Sequence, residues 1–300
     1  MTGWRDPFIS PWKASDKVAG CTDRTYVLVA GGIQDCGPTV FMYRLPPAAS
    51  IKDSLTGDWE YLGQLIPPAK RVIPPRSPWV GDLGDNWECP SFITLGSLQV
   101  VIIGSEGKWA DHTYPNDKIP SWQVWFSGHL SANTNGHVQF DKSSEGIVDW
   151  GNYYAGQVFK VNDGRTLSIG KYNRRGVILT TGWLVDNDLT DRGRRRQGWA
   201  GAMSCLRELF EQMTPGVIGT LSSPLNDIPP FTTTVHPGAK GITVRTLGIR
   251  PIHKLRHLPH DNLIDHRSLT LRSSFAAELS ASVEGAKHVG VRFIFEKGKT

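Results

Sequence analysis

The 300-residue sequence predicts an all-β protein organised as part of a β-propeller, and three observations carry that expectation. From residue 25 onward, short stretches rich in β-branched and aromatic residues follow one another at close intervals, as strands do. Turn-formers separate them: the chain holds 32 Gly and 20 Pro, which punctuate hairpins rather than helices. Eleven Trp complete the picture, because aromatic side chains favour a pleated, half-buried surface and offer flat faces on which rings stack.

Taken in order, the strand candidates are "TYVLVAGGI", "PTVFMYRL", "WEYLGQLI", "SFITLG", "LQVVIIGSE", "SWQVWFSGHL", "HVQF", "YYAGQVFKV", "RTLSIGKY" and "GVILTTGWL". Asp163-Gly164, inside "VNDGRT", marks a hairpin turn between two apolar runs. Grouped in threes and fours, these strands form the meanders of propeller blades. Their number is too large for one small β-sandwich. A single stretch, "AMSCLRELFEQM", carries apolar residues at 3–4 spacing and predicts a short helix. Residues 214–240 are rich in Pro, Gly, Ser and Thr and read as a linker. Beyond them "SSFAAELSASVEGAKHVGVRFIFEKG" alternates as two strands. A lone hairpin is marginally stable, so these strands predict the start of a second β domain. The expected organisation is 1–213 propeller, 214–268 linker and hinge, and 269–300 first strands of a β-sandwich.

Charge excludes little but directs attention. The net charge of +5 is modest and clusters at Arg192, Arg194, Arg195 and Arg196 and in "RPIHKLRHLPHDNLIDHRSLTLR". A short basic run is usually a solvated surface, so a nucleic-acid partner is not expected. No apolar run approaches the ~20 residues of a membrane-spanning helix, and no membrane partner is expected. The opening "MTGWRDPFISPWK" lacks the layout of a signal peptide, and the compartment stays open. Cys21, Cys36, Cys89 and Cys205 show no C-x-x-C spacing; neither zinc nor a redox motif is expected, and disulfides stay undecided. His253, His257 and His260 have metal-like spacing, but Pro259 breaks the helix that would align them. No metal, nucleotide or other cofactor is expected.

Three stretches hold the chemistry. "GWRDPF", residues 3–8, places Arg5 and Asp6 between Trp4 and Phe8. In "GDLGDNWECPSFITLG", residues 81–96, Glu88 lies between Trp87 and Cys89. A carboxylic acid held against an indole and a thiol is partly desolvated and stays protonated, as a general acid requires. In "VDWGNYYAGQVF", residues 148–159, Asp149 precedes a Gly turn and two tyrosines and offers a carboxylate to sugar hydroxyls. Each has a plainer reading as an ordinary loop or turn acid.

In this order and spacing the three stretches resemble glycoside hydrolase family 32, the invertases, inulinases and fructosyltransferases. "RRGVILTTGWL", "GWAGAMSCLREL" and "SSFAAELSASVEGAKHVGVRF" resemble later segments of that family, and "TGWRDPF" with "GPTVFMYRL" and "WEYLGQL" resembles its fungal branch. The resemblance implies a five-bladed propeller, here without its first blade, and a C-terminal β-sandwich. It implies that Glu88 is the general acid/base, that Asp6 stabilises the transition state, and that Arg5 beside it and Asp149 bind sugar. Asn152 stands where many plant invertases have Lys, which leaves donor and acceptor preference open. The implied partner is sucrose or a fructan.

One family element has no match. The nucleophile is an aspartate in a W-M-N-D-P-N-G motif, and the only Asp-Pro here is Asp6-Pro7. A retaining glycosidase needs two carboxyl groups ~5–5.5 Å apart, so the sequence predicts an incomplete β-fructofuranosidase-type hydrolase. The alternative is a non-catalytic carbohydrate-binding pseudoenzyme.

Overall fold

In the computed structural model, the described residues are 1–45, 59–68, 80, 83–106, 121–134, 137–161, 167–169, 172–174, 177–186, 189–220, 224, 232–235 and 240–252. The first sheet joins β1 (Gly3–Pro11), β2 (Thr25–Ile33), β3 (Gly37–Arg44) and β4 (Glu60–Ile66) as an antiparallel meander in that order. The second repeats the plan with β5 (Asn86–Leu95), β6 (Leu98–Glu106), β7 (Trp122–Ala132) and β8 (Val138–Ile147). In the third, β9 (Tyr153–Val161) pairs with β12 (Val177–Leu184), whose other edge takes β13 (Ala202–Met203) and β14 (Arg207–Val217). Beyond β14 follow β16 (Ile242–Pro251) and β15 (Thr232–Val235). A small pair, β10 (Leu167–Ile169) and β11 (Tyr172–Arg174), lies between β9 and β12 in sequence. The described residues are thus overwhelmingly β.

Two apolar layers join the sheets. Tyr26, Leu28, Met42 and Leu65 from the first sheet meet Trp87, Val101, Ile103 and Phe126 from the second in one cluster. Val100, Ile102 and Trp125 turn the other way and meet Tyr153, Val158, Leu209 and Leu247 of the third. Strand β6 is therefore buried on both faces, which is why its sequence runs apolar without alternation. A strand exposes successive side chains on opposite faces, so Val100–Ile103 feeds both layers in turn.

Several elements depart from the sequence expectation. The opening segment is a strand, β1, although no strand was expected before residue 25. Its register runs from Gly3↔Gly32 to Pro11↔Thr25. A seven-residue helix, α1 (Lys13–Ala19), follows and ends at Gly20, whose φ of 63° suits a residue without a Cβ. Trp12 locks this corner: it is 2% exposed, stacks on Phe92 at 4.3 Å between ring centroids, and donates its Nε1–H to Gln99 Oε1 at 2.8 Å. The expected helix at "AMSCLRELFEQM" is instead β13 and β14. Pairing of Leu209 with Ile178 and Ile249, and the ion pair of the buried Glu208 with the half-exposed Arg250 at 2.7 Å, override the local spacing. Strands β15 and β16 fall within the stretch read as linker. A second helix, α2 (Asp191–Gln197), carries the arginine run and is capped by Thr190, whose hydroxyl accepts the Gly193 N–H at 3.2 Å. All four cysteines are free thiols. The Asp163-Gly164 turn, the histidines at 253, 257 and 260, and the strands expected over 269–300 lie outside the described residues.

One irregularity recurs three times. Across β1–β2, Asp6 and Pro7 together face Val29; across β5–β6, Cys89 and Pro90 face Ile103; across β9–β12, Ala155 and Gly156 face Gly182. Each is a β-bulge, two residues opposed to one. In each the first bulged residue has positive φ: Asp6 at 56°, Cys89 at 46° and Ala155 at 50°. That conformation is uncommon for a residue with a Cβ, and finding it at three like places marks a shared backbone plan.

Candidate active site

Immediately before each bulge stands the residue that enters the site. Arg5, Glu88 and Tyr154 occupy this position on β1, β5 and β9, pairing across to Ala30, Gly104 and Trp183. Because the sheets pack face to face, these side chains meet. Arg5 Nη2 lies 2.6 Å from Glu88 Oε1, and the Tyr154 hydroxyl donates to Glu88 Oε2 at 2.6 Å. Both oxygens of Glu88, on a side chain 19% exposed, are thus engaged. Arg5 also pairs with Glu106, the last residue of β6, which accepts from Asn86 Nδ2 at 3.2 Å. Burial, then the hydrogen bond to Glu88, raises the Tyr154 hydroxyl far above the ordinary phenol value. It acts as a donor across the neutral range.

Asp6 is tied to the same cluster through the second bulge. Its Oδ2 accepts the backbone N–H of Cys89 at 3.1 Å and the Cys89 thiol at 3.6 Å. Burial, followed by the charges of Asp6 and Glu88, pushes the Cys89 thiol up to about 12. It therefore remains a protonated donor.

The surroundings of Glu88 differ from the expectation in one respect. Trp87, the next residue along the strand, points to the opposite face, where its indole packs near Phe126 and donates to the Leu83 carbonyl at 3.0 Å. Alternation along a strand forbids adjacent residues from sharing a face. The partners of Glu88 are Arg5 and Tyr154, not the indole, and the Cys89 thiol turns to Asp6.

The structure thus gathers Arg5, Asp6 and Glu88. Asp149, just ahead of β9, takes other partners: Oδ1 accepts the Gly151 N–H at 2.6 Å and Oδ2 lies 2.5 Å from Arg207 Nη1. Arg207 in turn sits 4.9 Å above the Tyr153 ring. Sequence reasoning missed Glu106 and the part played by Tyr154. The signal for Tyr154 was present: it precedes Ala-Gly as Arg5 precedes Asp-Pro and Glu88 precedes Cys-Pro. Among the described residues no three His, Cys, Asp or Glu side chains gather as a metal site requires.

A family model for the glycosyl hydrolases family 32 N-terminal domain matches residues 56–217, more than half of the 300. The chain belongs to glycosyl hydrolase family 32. The match takes in Glu88, Glu106, Asp149 and Tyr154, and Arg5 and Asp6 lie before it. A sucrose-6-phosphate hydrolase of Escherichia coli is 30% identical over 137 residues, covering 43% of this chain and 24% of its own. One from Klebsiella pneumoniae is 27% identical over 213 residues, covering 68% of this chain and 38% of its own. The family 32 chain thus spans between about a quarter and two-fifths of the length of these relatives. Among solved structures, an Aspergillus kawachii β-fructofuranosidase in complex with glycerol superposes with a TM-score of 0.70 at 23% identity, over 85% of this chain and 42% of that one. A fructosyltransferase from A. japonicus gives a TM-score of 0.68, also at 23% identity, over 85% and 45%. These two establish likeness of fold.

Proposed function

We propose that the chain supplies the acid/base half of a β-fructofuranosidase-type site acting on sucrose or fructans with retention. The observation that carries this reading is the Glu88 carboxyl, held by Arg5 on one oxygen and Tyr154 on the other, with Asp6 fastened to the adjoining backbone. Glu88 protonates the leaving glycosidic oxygen and later takes a proton from water. Asp6 holds negative charge toward the oxocarbenium-like centre, Arg5 orients Glu88, and Asp149 receives sugar hydroxyls. The attacking carboxylate is assigned to none of the 300 residues. The three sheets are blades of a propeller of the five-bladed kind, the third of them reaching past residue 213 through β15 and β16 to Pro251. Names of the relatives, which include hydrolases of sucrose 6-phosphate, support a sucrose-like substrate.

The test is kinetic. The 300-residue chain by itself should not turn over sucrose or inulin, and should do so when covalently joined to a segment bearing the W-M-N-D-P-N-G motif. In that protein Glu88→Gln should lower kcat by ~10²–10⁴ with little change in KM. A substrate whose leaving group needs no proton should restore its first step. Asp6→Asn should lower kcat and kcat/KM together and gain nothing from that substrate. Turnover by the chain alone would show that the nucleophile has been misplaced. Sugar binding without turnover in the joined protein would favour the pseudoenzyme.

A further inference from the structure

Gln123 lies at the second position of β7 and is fully buried, at 0% exposure. It shares one face of the second sheet with Gly104 and Glu88, for the register runs Glu88↔Gly104 and Gly104↔Gln123. That face looks toward β9. Tyr154 crosses it over Gly104, where an added Cβ would come within 2.9 Å of the ring. At the far end of the row, Gln123 Oε1 accepts the backbone N–H of Gly156 at 3.0 Å. Gly156 is the second residue of the bulge that aims Tyr154.

The other end of the amide makes the arrangement telling. Gln123 Nε2 is buried and has no hydrogen-bond partner among the described residues. An orphaned buried donor costs roughly 1–3 kcal/mol, and an apolar side chain of the same shape would avoid that cost. A residue placed only for packing would not carry it. The oxygen is the part in use: a bulge takes its extra residue out of the sheet ladder, and Gln123 Oε1 satisfies the N–H left over.

We infer that Gln123 is a positioning residue: by clamping the Ala155–Gly156 bulge it holds the Tyr154 hydroxyl on Glu88 Oε2. The inference rests on the proposed role of Glu88 only for its catalytic consequence; the clamp itself is a property of the fold. Gln123 touches no substrate. Its loss leaves Glu88 in place but frees the tyrosine that fixes one of its oxygens.

The experiment reads the tyrosine hydroxyl proton directly, by NMR of the 300-residue chain with ring-labelled tyrosine. A hydroxyl held on a carboxylate exchanges slowly with water, and loss of the signal in Tyr154→Phe assigns it. In Gln123→Met, a shape-preserving change without the acceptor, exchange should accelerate by about tenfold or more, the scale of one lost hydrogen bond. The melting midpoint should move little, because losing the orphaned Gln123 Nε2 offsets the cost of leaving the Gly156 N–H unpaired. Gln123→Glu keeps an accepting oxygen and should retain the slow proton. An unchanged hydroxyl in Gln123→Met overturns the inference, as does the lack of any protected Tyr154 hydroxyl in the wild-type chain. Should Gln123→Met not fold, Gln123→Leu replaces it; if neither gives the wild-type far-UV spectrum, Gln123 is a core residue and the inference fails. None of these outcomes depends on turnover, so failure of the hydrolase reading is seen separately, in the sugar assays.

Discussion

Cys89 shows how one residue can serve a site without reacting in it. Its backbone N–H and its thiol both point at Asp6 Oδ2, and burial with two nearby carboxylates pushes the thiol up to about 12. A thiolate is the reactive form, and a thiol held this far above its ordinary value presents almost none of it at neutral pH. Cys36 and Cys205 are exposed. Labelling with iodoacetamide near neutral pH, followed by mass spectrometry, should modify Cys36 and Cys205 while leaving Cys89 nearly untouched. Comparable rates at all three would show that the thiol is not held as described. This much was only half legible in the sequence. "WECP" placed a thiol beside Glu88, but a strand alternates faces and a bulge breaks the alternation, so neither neighbour's direction could be read from the string. Trp87 turned away, and Cys89 turned to Asp6.

At the scale of the element, the strands with dense β-branched residues were read closely: "TYVLVAGGI", "LQVVIIGSE" and "YYAGQVFKV" coincide with β2, β6 and β9. Burial dictates their composition, and burial leaves a mark in the sequence. Strand β1 left none, because its exposed Trp4 and Ile9 and its Asp6-Pro7 bulge break the pattern. What holds β1 is close backbone approach. A Cβ on Gly31 would run into the carbonyl oxygen of Gly3, the residue before its ladder partner Trp4. Gly31→Ala should therefore destabilise the protein by about 3 kcal/mol or more, as overpacking against an immovable partner does. Gly219→Ala, where nothing lies within 4 Å, should be near neutral. Chemical denaturation of both variants checks this, and equal midpoints would mean that β1 is free to shift. Strand β14 failed for the opposite reason. Its 3–4 apolar spacing is a helical pattern, and only partners distant in sequence, β12 and β16, make it a strand.

Across the whole described body, the second sheet is the hub, with one layer of core on each face. Trp12 pins the first sheet to it through Phe92 and Gln99. Trp12→Ala removes a buried indole and should cost ~3–5 kcal/mol. Because Arg5 sits on β1, the same change should loosen the contact between Arg5 and Glu88 although neither touches Trp12. Thermal melting would measure the first effect, and protection of β1 amides from hydrogen exchange the second; rapid exchange confined to other strands would refute the link. The thrice-used bulge also bears on redesign. A guanidinium, a carboxyl and a phenol stand on three copies of one backbone mould, so a codon change at position 5, 88 or 154 exchanges the reagent while the scaffold that presents it is conserved. An engineer seeking new chemistry inherits the same economy: three equivalent pedestals, each open to a different side chain without a new fold.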